Sequence, residues 1–360
     1  MTTWTEAWSV HGFAGVSNSR IPGAHNKPHD GKEQALHDTD SLGAAPDDAQ
    51  SAGALPGRQA PPRLRKYLDG AALFRCPLCA AAGGSVRLRP SGSALRCTAG
   101  HTFDVSRKGY VNFMPSQKPL RGYTKEFFEA RREFLSWGYY DHVLQAVSDV
   151  VADAMAKQAA DRGFRLLDAG CAEGYYLRGI RRAIEAAPGN GPRADAGAGT
   201  LLIGADISKD AVRLAAGGGD PNLWIVSDVA NLALADSSVD CVLNVFTPAN
   251  YHEFRRVLRP GGVLVKVVPG PRHLEQLRQA VGEAAHSEDD VVRIFRRNCD
   301  MEADVAATRT FDVPHERMST LIGMTPFAFG FDERQRRDIM VRRITIDARV
   351  LVGVPHGAEV

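Results

Sequence analysis

Apolar runs separated by polar or glycine-rich turns recur between residues 160 and 270 and predict buried strands. Five runs are of this kind: Phe164–Leu167, Ile203–Ala205, Ile225–Val226, Val239–Phe246 and Val263–Val268. Residues 175–184, which follow the first run after a short turn, have a pattern typical of a helix. Mainly apolar strands interleaved with helical segments are typical of an α/β domain whose sheet is buried.

The turn after the first run carries small residues at the positions of a cofactor-binding loop. Asp168 ends the run, and Gly170, Ala172 and Gly174 occupy the turn before the helix. A strand, a glycine turn and a helix start form the unit that binds a nucleoside cofactor at the carboxyl end of a strand. The turn lacks the Gly-Lys-Ser/Thr ending of a P-loop, which argues against that class. A tight strand-to-helix bend without a ligand would give the same local pattern.

Acidic residues end the next two apolar runs. Asp206 closes the second run and suits the two ribose hydroxyls of a bound nucleoside. Asp228 closes the third run, where it is placed to meet an adenine edge. With the glycine turn, this ordered set resembles the class I S-adenosylmethionine-dependent methyltransferases. The resemblance implies a Rossmann-like α/β fold and S-adenosylmethionine as cofactor, in preference to a dehydrogenase or a cofactor-free α/β domain.

Four metal-ligating side chains lie at zinc-ribbon spacing ahead of this domain. Cys76 and Cys79 form one pair, and Cys97 and His101 form a second pair after a 17-residue loop. Three thiolates and one imidazole make a closed tetrahedral zinc site, and four protein ligands leave no open position for catalysis. The sequence therefore predicts a structural zinc. A thioredoxin-like role for the first pair is disfavoured because a second ligand pair follows.

Composition limits the size and class of the protein. The chain has 360 residues, 44% of them hydrophobic, which suits two or three domains of a globular protein. The net charge of +2 does not by itself indicate nucleic acid, and six cysteines in so long a chain do not form a disulfide framework. Neither a membrane-spanning run nor a secretory signal pattern is visible, so we expect a cytoplasmic protein that does not bind a membrane.

These features divide the chain into four predicted segments. Residues 1–66 lack a persistent hydrophobic period, which predicts a disordered extension. Residues 67–115 form a zinc-binding domain, and residues 116–160 form a helical linker with apolar residues spaced for packing faces. Residues 161–360 form the methyltransferase domain.

The residues that follow the second ligand pair narrow the family. Residues 100–114, Gly-His-Thr-Phe-Asp-Val-Ser-Arg-Lys-Gly-Tyr-Val-Asn-Phe-Met, run directly out of the zinc site. With Cys-Pro-Leu-Cys ahead of them, they closely resemble the start of the large-subunit (23S) ribosomal RNA guanine-N1 methyltransferases, the RlmA and tylosin-resistance type. The resemblance spans roughly residues 74–350. It continues through four blocks: Ala130–Leu135, Gly138–Tyr140, Pro269–Leu274 and Met324–Phe329.

The resemblance implies an activity and a set of cofactor contacts. The activity is methylation of guanine N1 in a hairpin of large-subunit ribosomal RNA, with a housekeeping role and a role in macrolide resistance both open. The implied contacts come from Tyr140, Asp168, Gly170, Ala172, Glu173, Gly174 and His273, beside Asp206 and Asp228. Ala172 stands where related enzymes usually carry glycine, so its methyl group could crowd the methionine tail of the cofactor.

A proton acceptor is needed because N1 of neutral guanine carries a proton. The sequence does not identify it. His252 and Glu253 follow Thr247-Pro248, where many such enzymes contact the target base, and are therefore the candidates. Ordinary roles on a helix surface are the alternative for both.

Two other functions and the purpose of the zinc unit stay open. One alternative is a small-molecule methyltransferase of secondary metabolism, which would not need a zinc ribbon. The other is a non-catalytic RNA- or ribosome-binding protein, and the only feature that supports it is Ala172 in the cofactor loop. Whether the chain forms a homodimer is undecided. The zinc unit either caps the helices at 123–159 or helps to grip RNA. The basic residues proposed for a grip are Arg75, Arg87, Arg89, Arg96, Arg107 and Lys108.

Overall fold

The computed structural model describes residues 61–114, 120–158, 163–187, 199–283 and 289–357. The first 60 residues of the predicted extension lie outside this part of the chain. Eleven strands are numbered here in chain order: β1 Arg89–Ser91, β2 Ala94–Arg96, β3 Thr102–Asp104, β4 Val111–Asn112, β5 Arg165–Ala169, β6 Leu201–Asp206, β7 Leu223–Val226, β8 Val239–Val245, β9 Leu258–Pro269, β10 Cys299–Asp312 and β11 Arg343–Pro355.

Helices flank these strands in the α/β manner that the apolar runs predict. The described α-helices are α1 Pro62–Asp69, α2 Pro77–Ala81, α3 Lys125–Ser136, α4 Asp141–Gln158, α5 Tyr175–Ala186, α6 Lys209–Ala216, α7 Tyr251–Val257, α8 Glu275–Ala280, α9 Asp289–Asn298, α10 His315–Gly323 and α11 Glu333–Arg337. Short 3₁₀ turns lie at Ala71–Leu73 and Pro326–Ala328. The two helices expected in the linker are α3 and α4.

One large sheet organises the molecule. Its eight strands follow the order β10-β11-β9-β8-β5-β6-β7-β4. The strands from β9 to β4 are parallel, whereas β11 pairs antiparallel with both β9 and β10. The carboxyl ends of the parallel strands therefore meet at one edge, where a cofactor site is expected. Five predicted strands lie in this parallel part, which confirms the α/β fold class.

The zinc unit is joined to this sheet rather than held apart from it. Strands β1, β2 and β3 form a small antiparallel sheet of their own. The next strand, β4, leaves that unit and pairs in parallel with β7, with Val111 opposite Ile225. The zinc unit therefore supplies the edge strand of the large sheet.

The predicted boundary of the N-terminal extension at residue 66 is too late. Residues 62–66 belong to α1, which starts with a proline at its first position, a favoured place because proline has no N–H to leave unpaired. Tyr67 of this helix is fully buried. Its hydroxyl accepts a hydrogen bond from the Trp224 N–H at 2.8 Å and lies 2.9 Å from the carbonyl oxygen of Gly109. These contacts fasten α1 between the zinc unit and β7.

Candidate active site and zinc centre

The four predicted zinc ligands converge. The His101 Nδ1 atom lies 3.4 Å from the sulfur atoms of Cys76, Cys79 and Cys97, and the sulfurs of Cys79 and Cys97 are 3.8 Å apart. A tetrahedral zinc with bonds of about 2.3 Å to sulfur and about 2.0–2.1 Å to nitrogen would separate its ligands by about 3.5–3.8 Å. The donor set therefore fits zinc in both chemistry and spacing. All four positions are taken by protein, as a structural site requires.

The zinc unit is docked on the methyltransferase domain through Arg75, the residue before the first ligand. Its Nε donates to the carbonyl oxygen of Leu232 at 3.2 Å, and its guanidinium lies 3.2 Å from the Glu253 carboxylate. Asn231 donates from its side chain to the carbonyl oxygen of Pro77 at 3.2 Å. Since both domains contribute to these bonds, the ribbon has a fixed position beside α7.

The cofactor loop after β5 has the backbone that its glycines predict. Gly170 has φ 91° and Gly174 has φ 84°, values in the left-handed region that favours glycine. A Cβ atom on Gly170 would lie 2.5 Å from a side-chain carbon of Thr247, and one on Gly174 would lie 2.5 Å from the Trp224 ring. Both positions therefore exclude a side chain, for conformational and for steric reasons.

Ala172 adopts a glycine-like conformation without being glycine. Its φ is 48°, in the left-handed region. Its N–H donates to Asp206 Oδ2 at 2.9 Å, and the other oxygen of that carboxylate accepts from the Ser208 N–H at 2.7 Å. Asp206 thus lies directly against the cofactor loop, and its contact with the ribose stays a prediction. Although residue 172 is alanine and not glycine, the loop backbone has the left-handed conformation that glycine favours.

Two further acids of the cofactor motif are buried together. Asp168 and Glu173 are 1% and 0% exposed, and Glu173 pairs with Arg131 of α3. Burial raises the pKa of the Asp168 carboxyl to about 8. Among the described residues, Asp168 Oδ1 and Glu173 Oε1 are buried oxygens without a hydrogen-bond partner. S-adenosylmethionine carries an ammonium and a sulfonium, and such orphaned acceptors beside a narrow glycine turn suit a cationic ligand.

Tyr140 and His273, which the resemblance implies as cofactor contacts, are neighbours. The Tyr140 hydroxyl lies 3.4 Å from His273 Nε2, and His273 Nδ1 lies 2.9 Å from the carbonyl oxygen of Asp347. Both side chains are buried, and the Phe246 ring at the end of β8 packs against each. Burial and this pairing fix both rings close to the carboxyl edge of the sheet.

Asp228 lies two residues beyond β7, at the same edge as Asp206. Its Oδ1 accepts the N–H of Ala230 at 2.8 Å, so the carboxylate caps its own turn. This geometry holds the turn in place and leaves the predicted adenine contact untested.

The two candidates for the proton acceptor occupy unlike places. The His252 side chain is 85% exposed, whereas that of Glu253 is 5% exposed. Glu253 pairs with Arg75 and Arg256 and accepts the N–H of Leu232 at 2.8 Å. Glu253 is therefore buried and paired at the domain junction and is not an exposed residue on the helix surface. The prediction that it could accept the guanine proton has no support in this geometry.

Sequence reasoning did not single out Asn244 or Lys266. Both lie inside apolar strand runs, at 0% and 2% exposure, on β8 and β9. The available signal was the interruption of an apolar run by one polar side chain.

Within the ranges that the structure describes, none of the helices combines the length and the apolar character that a membrane span requires.

Two family models match the chain. The RlmA N-terminal zinc-ribbon family matches residues 74–119, which include all four zinc ligands. A methyltransferase-domain family matches residues 167–266, which include the cofactor loop and Asp206.

Three relatives are similar over most of the chain. YxjB of Bacillus subtilis (strain 168), provisionally named a 23S rRNA (guanine-N(1)-)-methyltransferase, is 33% identical over 292 residues, covering 78% of this chain and 97% of its own. A Micromonospora griseorubida protein with the same provisional activity is 32% identical, covering 72% and 88%. The 23S rRNA (guanine(748)-N(1))-methyltransferase of Streptomyces fradiae is 32% identical, covering 75% and 89%. Each similarity is too long to be confined to one of the two matched domains.

Proposed function

The chain belongs to the family of 23S rRNA (guanine-N1-)-methyltransferases, and on that premise we propose that it methylates N1 of a guanine in a hairpin of large-subunit ribosomal RNA. The observation that carries the proposal is the joining of a Cys3His ribbon to an acid-lined cofactor loop in one docked unit. A ribosomal RNA substrate also suits the cytoplasmic location expected from the sequence.

We propose a role for each acid around the glycine turn. Asp168 and Glu173 offer their free oxygens to the methionine ammonium, and Arg131 keeps the second carboxylate oriented. Asp206 receives the ribose hydroxyls and Asp228 the adenine edge. The cofactor supplies a methyl group that is already activated by its sulfonium, so the protein contributes mainly proximity and orientation. Tyr140 and His273 close the side of the site next to Phe246.

The ribbon offers an exposed basic surface that suits the sugar-phosphate backbone. Arg89 and Arg96 are exposed and lie directly opposite each other across β1 and β2. Like charges in that relation destabilise a hairpin unless an anion lies near them. Arg75 is removed from the residues proposed for the RNA grip, because its guanidinium pairs with Glu253 at the domain junction. The Arg87 guanidinium donates to the Ala72 carbonyl oxygen at 2.7 Å, which also makes it a weaker candidate.

The target base must reach a cofactor held at the sheet edge. Enzymes that act on a base extrude it from its stack, and a hairpin loop offers unstacked bases at low cost. The loop after β8 faces the cofactor loop at Gly170 and Thr247 and is the natural wall of such a base pocket. A small-molecule substrate would not need the exposed basic surface of the ribbon. The non-catalytic alternative loses its support, because Ala172 keeps the glycine-like backbone of the loop.

Methyl transfer by the purified, zinc-loaded protein tests the proposal. We expect radiolabelled methyl groups to pass from S-adenosylmethionine to a large-subunit RNA fragment, with small-subunit RNA of equal length as the control. Reverse transcription should stop at one guanine, because a methyl group on N1 blocks the Watson–Crick edge. Methylation of that guanine in a producer of macrolides would add support for a resistance role. Absence of transfer, or transfer to another atom, would contradict the proposal.

A further inference from the structure

Two polar residues face each other inside the apolar interior of the sheet. Lys266 of β9 and Asn244 of β8 are register partners, and they are 2% and 0% exposed. The Lys266 Nζ donates to Asn244 Oδ1 at 2.7 Å. The neighbouring residues on both strands are mainly valine and leucine, so these two side chains depart from the pattern that builds the sheet.

The pair is hydrogen-bonded to the backbone at the end of β5 and in the loop after β8. Lys266 Nζ donates to the carbonyl oxygen of Thr247 at 3.0 Å, and Asn244 Nδ2 donates to that of Pro248 at 3.3 Å. Asn244 Nδ2 also lies 2.9 Å from the carbonyl oxygen of Ala169. Ala169 precedes the cofactor loop, while residues 246–250 form what we call the Thr-Pro loop. The two buried side chains thus connect the last residue of β5, just before the cofactor loop, to the Thr-Pro loop.

The Thr-Pro loop is also restrained at its first residue. Phe246 has φ 49°, which is uncommon for a bulky residue, and its N–H donates to the Val267 carbonyl oxygen at 3.0 Å. Such backbone conformations persist only where the surrounding structure enforces them. The bonds from Lys266 and Asn244 to the next two carbonyl oxygens are part of that enforcement. The loop is therefore fixed before any substrate arrives.

A lysine in this position is costly for the fold. Burial lowers the pKa of the Lys266 ammonium to about 7, because the charged form loses its hydration. An apolar side chain of similar volume would fill the space without that desolvation. The presence of lysine is better explained by the backbone groups that it holds than by a gain in stability.

We propose that Lys266 is a positioning residue for methyl transfer: together with Asn244 it fixes the Thr-Pro loop against the cofactor loop, so that the target base meets the methyl group in line. The inference rests on the proposed function, since it concerns the base pocket of that reaction. Lys266 acts through the loop backbone and not on the base itself. A displacement of about 1 Å in such a pocket can slow transfer about 100-fold.

The experiment compares Lys266→Met with wild-type protein in the methyl-transfer assay at saturating cofactor and RNA. We expect kcat to fall 10- to 100-fold, while the calorimetric Kd for S-adenosylmethionine changes less than about threefold and the unfolding temperature does not fall. Lys266→Gln, which keeps one amide donor, should have a kcat between that of the wild-type protein and that of Lys266→Met. Asn244→Leu combined with Lys266→Met should be no slower than the slower single variant, because the two residues act as one unit.

Val265→Ala is the matched control. Val265 directly precedes Lys266 in β9. Its side chain is buried in one apolar cluster, whereas the side chains of Leu264 and Val268 are buried in another. This variant should lower stability with little loss of kcat per folded molecule. Wild-type kcat in a folded Lys266→Met protein, or in Lys266→Gln where the methionine variant does not fold, would overturn the inference. A wild-type protein that transfers no methyl group to RNA would instead overturn the proposed function.

Discussion

The guanidinium of Arg75 lies 3.2 Å from the carboxylate of Glu253, across 178 residues of sequence. Arg75 adjoins the zinc ligand Cys76, whereas Glu253 lies on the helix that follows the Thr-Pro loop. One ion pair therefore links the metal centre to the wall of the proposed base pocket. Their side chains are only 11% and 5% exposed, so solvent screens this pair far less than it screens a surface pair.

Removing the carboxylate should destabilise the junction. Glu253→Gln leaves the guanidinium groups of Arg75 and Arg256 buried without their shared partner, which should cost about 3 kcal/mol in the free energy of unfolding. Urea unfolding of the zinc-loaded protein measures it. Glu129→Gln, which breaks the exposed pair with Lys125, is the control and should cost at most about 0.5 kcal/mol. Equal small losses in both variants would show that the junction does not depend on this pair.

Cofactor binding should release a proton from Asp168. Burial raises the pKa of this carboxyl to about 8, so it is largely protonated at pH 7, whereas a bound ammonium favours the carboxylate. Affinity for S-adenosylmethionine should therefore weaken as the pH falls from 8 to 6, by up to about tenfold per unit. Calorimetry at pH 7 in two buffers of different ionisation enthalpy counts the proton. Asp168→Asn should abolish this release, whereas Asp210→Asn at an exposed site should leave it unchanged.

The raised pKa of Asp168 also determines how the free energy of unfolding changes with pH. The folded state holds this proton more tightly than the unfolded state, so its contribution favours folding at low pH and is lost as the pH rises from about 4 to about 8. Asp168→Asn should consequently stabilise the cofactor-free protein at pH 7, by about 1–3 kcal/mol. A loss of stability in that variant would contradict the assigned pKa.

Ala172→Gly should stabilise the cofactor loop. A non-glycine residue in the left-handed region costs about 1–2 kcal/mol, part of which is offset by the greater backbone entropy of an unfolded glycine. The expected net gain is about 0.5–1 kcal/mol in urea unfolding, with cofactor affinity unchanged or tighter. Ala183→Gly, in the exposed middle of α5, should lose about 1 kcal/mol. A loss of similar size in both variants would mean that Ala172 is not strained.

Arg89→Glu tests the ribbon as an RNA grip. The substitution creates an opposite-charge pair with Arg96 across the hairpin, so stability should rise slightly, by about 0.5 kcal/mol. RNA affinity should fall, and its salt slope should decrease by about 1. Arg296→Glu is the control, since α9 packs on β10, the opposite edge of the sheet. Unchanged RNA affinity in Arg89→Glu would favour a capping role for the ribbon.

Local chemistry was readable from the sequence, because it depends on spacing along the chain. The zinc ligands occur as two pairs within 26 residues, and Asp168 and Asp206 each end an apolar run. Parallel strands bring such ends to one edge of the sheet, so these two acids could be expected near one site. The glycine-like φ of Ala172 follows from its place in the same turn.

Long-range pairing was not readable in this way. No local pattern indicates that Arg75 would meet Glu253, so the sequence offers Arg75 as one residue of a possible RNA grip and Glu253 as one candidate for the proton acceptor. Strand β4 has only two residues, and its addition to the large sheet depends on where the zinc unit docks. Lys266 and Asn244 interrupt two apolar runs, but their partnership follows from strand order and register. Such relationships are fixed by tertiary packing, which no local pattern encodes.

Mass mapping of ribosomal RNA from cells with and without the gene would show whether the protein methylates guanine N1. We expect one guanine in a large-subunit hairpin to carry a methyl group on N1 only when the gene is present, with small-subunit RNA unchanged. Restoring the gene with Lys266→Met should return the modification only partly. Identical modification maps with and without the gene, or a gene-dependent methyl group on another base or atom, would contradict it.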